Sequence, residues 1–196
     1  MYPFGKFENR AACRDGEKAR ASLLHRVAGH LDFEGKWSEA EKRYVDAFET
    51  RQRVLGKEHP DTLISMANLA STYSNQGRWE VAEELGVQVV ETNKRVLGEK
   101  HPDTLTSLAN LASTYSNQGR WKDAEELEVQ LMETHKRVLG EEHPDTLISM
   151  ANLASTYSSQ GGWKEAEELR VRVTETRKRV LGEEHPDTLT SMANLA

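Results

Sequence analysis

Long apolar runs are absent from this sequence, and with them the simplest route into a membrane. Nowhere do about 18 consecutive apolar residues occur. No signal-type hydrophobic segment follows Met1 either, which sets the expectation of a cytoplasmic protein. Cysteine is nearly missing. The single Cys13 has no internal disulfide partner and reads as a semi-buried small hydrophobe in a reducing compartment. Positive charge is in deficit, 26 Lys+Arg against 32 Asp+Glu for a net charge of -6, so the basic stripe that a nucleic-acid backbone demands is lacking. There is no glycine-rich phosphate loop carrying GK[ST]. A zinc site needs three or four converging ligands, and Cys13 with the scattered His25 and His30 does not supply them. No cofactor, metal or enzymatic activity is therefore expected.

What is present is repetition. Residues His101–Glu142 nearly restate His59–Lys100, with substitutions at nine of the 42 positions. Among the nine are Met66/Leu108, Gly86/Glu128 and Asn93/His135. A third copy runs His143–Glu184, and a fourth begins at His185. Subtracting 42 places Gly35, Trp37, Ala40 and Glu41 opposite Gly77, Trp79, Ala82 and Glu83, so residues 17–58 are a diverged first copy. The organisation expected is repeats at about 17–58, 59–100, 101–142 and 143–184, with a truncated one at 185–196. Residues 1–16 stand outside the pattern, as an N-terminal cap or the remnant of a preceding repeat. Pro3 and Gly5 favour an irregular start there, and Phe7, Ala11, Ala12 and Cys13 could form the apolar face of a short helix. A hydrophobic content of 37% is low for a thick-cored globule and natural for thin stacked layers.

Each unit reads as two helices. Leu63, Met66, Leu69, Ala70 and Tyr73 form an apolar stripe at helical spacing, closed by Asn75-Gln76-Gly77. A second helix follows Arg78 and runs to about Leu97, burying Ala82, Leu85, Val89, Val90 and Leu97, and Gly98 ends it. Pro102 suits the first turn of the next helix, where Asp103 and Thr104 can meet free amides with His101 at or beside the cap. About eight helices in antiparallel pairs are expected, and no strands. Alanine at 70, 112 and 154 and at 82, 124 and 166 permits close crossing. Tyr73, Tyr115 and Tyr157 are expected between the helices of a pair. Trp37, Trp79, Trp121 and Trp163 read as wedges between layers rather than as ligand platforms.

These residues carry a resemblance. Leu69-Ala70, Tyr73, Gly77, Ala82 and Leu85, with their counterparts 42 and 84 positions on, resemble the tetratricopeptide (TPR) signature. The 42-residue spacing and the link RVLGxEHPDTL resemble the kinesin-light-chain subtype, and similar arrays occur C-terminally in fungal and bacterial NB-ARC (STAND/NLR-like) receptors. The resemblance implies an all-α fold, a right-handed alpha-alpha superhelix (TPR solenoid), that binds protein or peptide without naming a partner. It implies a groove lined by the first helix of each pair: Asn68, Ser71 and Asn75 with Arg78 at the rim, then Asn110, Ser113, Asn117 and Arg120, then Asn152 and Ser155. The asparagines match the position whose carboxamide holds a bound peptide backbone. Alternatively they bond to neighbouring helices. The lysines that clamp a C-terminal carboxylate in chaperone-binding members are replaced here by Ile, Thr, Ala and Ser, which argues against capture of acidic C-termini.

The tripeptide His-Pro-Asp at 59, 101, 143 and 185 matches that of co-chaperone J domains, but it recurs at every junction and opens a helix, which is the wrong setting. Paired Glu83-Glu84, Glu125-Glu126 and Glu167-Glu168 diverge around their helices and read as a solvated face. Two readings remain: a recognition module cut from a larger receptor, or an assembly or motor-adaptor module. Leu189, Met192, Ala193 and Leu195 have no following helix to cover them, which predicts end-to-end self-association.

Overall fold

The computed structural model describes residues 4–195, with side chains from 13 to 195. Those residues form nine α-helices and no strand. A first compact unit, Met1–Glu99, holds α1 (Phe4–Phe33), α2 (Trp37–Leu55), α3 (Pro60–Asn75) and α4 (Trp79–Val96). A second, Lys100–Ala196, holds α5 (Pro102–Asn117), α6 (Trp121–Leu139), α7 (Pro144–Gln160), α8 (Trp163–Leu181) and α9 (Pro186–Ala193). Within each unit every helix packs on the next. The ends that meet show the pairs to be antiparallel. Arg51 near the end of α2 reaches Ser65 near the start of α3, and Gln76 just past α3 reaches back to Glu41 at the start of α2. The second unit repeats this clasp through Gln160 and Glu125, at 2.9 Å.

Local chemistry sets the helix ends. Every first helix from α3 on is capped by its histidine: Nδ1 of His59, His101, His143 and His185 accepts the backbone N–H of the residue two further on, at 3.1–3.2 Å. The cap is thus the imidazole of the histidine expected at or beside that position, with proline at the first turn. This places the His-Pro-Asp motif as helix punctuation. At the other end Gly161 closes α7 at φ 83°, ψ 9°, a left-handed turn that suits glycine.

Alanines make the layers thin. Ala28, Ala40, Ala70, Ala82, Ala112, Ala124, Ala154 and Ala166 are all buried. In the first unit Tyr44, Leu69 and Tyr73 complete a core with Ala28, Ala40 and Ala82, and in the second Leu147, Met150 and Val173 form one.

Several expectations are corrected. The irregular start proposed around Gly5 is helical, since α1 begins at Phe4 and runs on through Gly16. Arg14 donates to the Val54 carbonyl at 2.6 Å and Glu17 pairs with Arg53 at 3.1 Å, which ties this stretch to the end of α2. Pro3 and the side chains of Phe7, Ala11 and Ala12 lie outside the described residues. Cys13 is exposed rather than semi-buried. Trp37, Trp79 and Trp163 are exposed too, Trp163 at 69%, although each opens its helix as the half-buried Trp121 does. Leu85 and Leu97 are half-buried, whereas Asn93, which was not expected inside, is buried.

Candidate functional site

The candidate side chains project from the first helix of each pair, apart from Arg78 and Arg120, which stand just before the second, and the two units treat them differently. In the first unit most are already engaged. The Asn68 amide stands 3.2 Å from Nε2 of His25 on α1, and the carboxamide also bonds the Tyr44 hydroxyl. Asn75 hydrogen-bonds Asp32, whose carboxyl is nevertheless pushed above the usual range by burial. Arg78 pairs with Glu41 at 2.9 Å and lies 4.2 Å over the Tyr73 ring. Burial opposes ionisation of Glu41, but the hydrogen bonds from Gln76 and Arg78 prevail and hold it below its ordinary value. Ser71 is half-buried.

In the second unit Arg120 repeats the stacking, lying 4.3 Å over Tyr115, but forms a local ion pair, with Asp123 three residues on at 2.6 Å. Asn110 is half-buried, and Ser113, Asn117, Asn152 and Ser155 are exposed. Ser155 donates to the Ala151 carbonyl at 3.2 Å, an ordinary bond within its own helix. Asn152 differs from Asn68. It lines an open cavity of about 300 Å³ between α5, α6 and α7, together with Leu105, Thr106, Ala109, Leu131 and Ile148 and the polar or charged Lys100, His135, Asp145 and Ser149. The structure thus brings Asn152 together with the first-helix residues Thr106, Ala109 and Ile148.

One slot escaped the sequence reading. Arg51, Asn93, His135 and Arg177 occupy the same register of the second helix, and three of them bond the serine of the helix that follows within their unit. Arg51 reaches Ser65 at 2.7 Å, His135 reaches Ser149 at 2.7 Å, and Arg177 reaches Ser191 at 2.6 Å. Burial lowers the His135 pKa; nearby His143 adds to this and Asp145 opposes it. The available signal was the slot's place four residues after buried Val89, filled each time by a hydrogen-bonding side chain.

A buried carboxylate is also new. Glu128 stands at the register of Tyr44, bonds Thr156, and leaves Oε2 without a partner. Burial raises its pKa and Glu125 adds to the effect, against the Thr156 bond.

The fold and this site describe a helical-repeat scaffold that presents a polar and aliphatic surface from its first helices. Sequence models of the tetratricopeptide repeat match residues 19–95 and, with a second model, 104–145 and 146–187. The chain belongs to the tetratricopeptide-repeat family. It is similar to the crystal structure of a candidate kinesin light chain from Podosopora anserina with nearly identical TPR-like repeats, at 32% identity and a TM-score of 0.80 over 91% of this chain and 84% of that one. A point variant of that protein gives a TM-score of 0.81. BtubC (BKLC) of P. vanneervenii has the same fold at 22% identity and a TM-score of 0.79, over 97% of this chain and 76% of that one. A nucleotide-binding leucine-rich repeat (NLR)-like protein of Hyaloscypha variabilis is 42% identical over 83 residues, which is 34% of this chain and 8% of that protein. No described helix is long and apolar enough to cross a membrane.

Proposed function

We propose that this chain is a cytoplasmic, non-catalytic module that binds a protein or peptide on its first-helix face, and that it serves as the ligand-sensing arm of a larger NLR-like receptor. The observation that carries the binding reading is Asn152, an exposed residue lining an open, partly aliphatic cavity. A carboxamide donates and accepts at once, so it can hold a peptide backbone whatever the side chains. Asn110, Ser113, Asn117, Arg120 and Ser155 extend that face within the second unit, and Asn68, Ser71, Asn75 and Arg78 form its counterpart in the first. The receptor reading is supported by the likeness to the NLR-like protein, of which this chain spans 8%. The test is to select peptides from a displayed random library and measure them by calorimetry. Asn110→Ala with Asn152→Ala should weaken binding about tenfold, and unchanged affinity overturns the site. A gene product with no nucleotide-binding domain would overturn the receptor arm.

A further inference from the structure

The cavity between α5, α6 and α7 has a counterpart in the first unit, and there it is filled. Shifting register by two repeats, 84 positions, carries Ala109 to His25, Ser149 to Ser65, Asn152 to Asn68 and Ile148 to Ile64. In the first unit the His25 ring spans the space between α1 and α3. Its Nε2 meets the Asn68 amide at 3.2 Å, its Nδ1 meets Ser65 Oγ at 3.4 Å, and its edge packs on the Tyr44 ring with centroids 5.2 Å apart. In the second unit alanine stands where His25 stands, and the residues matching both its hydrogen-bond partners line an open cavity.

We propose that this cavity is a side-chain subsite for an imidazole, the ring of a histidine carried by a protein or peptide partner. The chain's own His25 shows the arrangement. A carboxamide N–H offers itself to one ring nitrogen and a serine oxygen accepts from the other, and among side-chain rings only imidazole pairs a donor with an acceptor in this way. Ser149 keeps capacity for the second bond. Its proton goes to the Asp145 carbonyl at 2.9 Å and it accepts from His135, which leaves a lone pair. Leu131 replaces Ala47 at the same register and adds an aliphatic side chain to the lining, which also includes Lys100 and Asp145, while Glu128 stands at the register of Tyr44. The aliphatic part of the wall favours burial of the ring's carbon edge. The subsite rests on the reading of the first-helix face as a peptide surface, and it names one residue that such a peptide presents.

The test uses 4-methylimidazole and N-acetylhistidine methylamide as probes, at about pH 9 where the ring is uncharged. Methyl resonances of Leu105, Leu131 and Ile148 report on the cavity wall. Saturable shifts of these methyls are expected, with the first unit's Ile64 methyl unmoved. Ala109→His installs the first unit's own plug and should abolish the shifts. His25→Ala vacates the matching place and should make Ile64 respond. If that variant unfolds, Ala109→His decides alone, since its position faces open space. Asn152→Ala should weaken the imidazole about fivefold. No shift at Ile148, or toluene binding as well as 4-methylimidazole, overturns the subsite. A library-selected peptide that loses affinity with Asn152→Ala but not with Ala109→His removes the subsite and leaves the peptide surface standing.

Discussion

The Arg78 guanidinium lies 4.2 Å above the ring of Tyr73, and Arg120 lies 4.3 Å above Tyr115. The third copy has Gly162 in that slot, beside Tyr157. Gly162 already has the backbone of its counterparts, φ -79° and ψ 61° against -89° and 59° for Arg78. Gly162→Arg should therefore raise stability by about 1 kcal/mol, from the stacked cation and the lost freedom of the unfolded chain. Urea denaturation measures it. A destabilised variant would mean that the 3.3 Å approach to Glu165 does not relax.

Two glycines separate backbone strain from crowding. An added Cβ meets nothing within 4 Å at Gly161 or at Gly140. Gly161 is left-handed at φ 83°, ψ 9°, a region that other residues enter at modest cost, whereas Gly140 at φ 97°, ψ 165° lies where essentially only glycine goes. Gly161→Ala should cost about 1 kcal/mol and Gly140→Ala about 3 kcal/mol. Equal costs in denaturant titrations would contradict this assignment.

Acid should loosen the fold before its carboxylates are consumed. Burial holds both His25 and His135 below the ordinary histidine value, with Arg51 adding to it at His25. The folded state therefore binds these protons less readily than the unfolded chain. Their contribution is complete above about pH 6.5 and is lost as the pH falls below it. Thermal melts between about pH 7.5 and 5.5 should show the decline. His135→Asn should flatten it in part, and the second copy itself carries Asn93 at that register. Identical slopes for the two proteins would exclude His135 as a source.

Glu128 runs the other way. Its folded-state pKa is raised by burial, so it costs stability once the pH exceeds the unfolded carboxylate value. Glu128→Gln should gain about 1 kcal/mol near neutral pH. The gain should vanish below about pH 4, where glutamate is protonated in both states. A pH-independent gain would point to packing instead of charge.

The sequence makes the helices legible because its punctuation is chemical. Pro102 opens a helix, Gly119 closes one, and the alanines at 112 and 124 mark where two helices touch. The face bearing Asn68 and Asn152 follows from the same periodicity. What periodicity could not supply is that these two asparagines differ. The plug on Asn68 comes from His25, 43 residues earlier, in the copy that has diverged furthest. Nor could it show that the Trp37, Trp79 and Trp163 rings stay exposed, because a tryptophan opening a helix can pack inward or lie along the surface. The bonds of Arg51 and His135 were missed because a polar residue on an apolar face counts against burial until its partner is seen.

The serine that receives Arg51, His135 and Arg177 is the same from copy to copy, and so is the capping histidine before it. Excising residues 143–184 would therefore bring His135 to the register that Arg177 holds before Ser191, a seam of the same kind as the one removed. Unequal recombination between such near-identical stretches yields shorter or longer proteins that fold by the same rules, so repeat number is free to drift while seams of this kind are preserved.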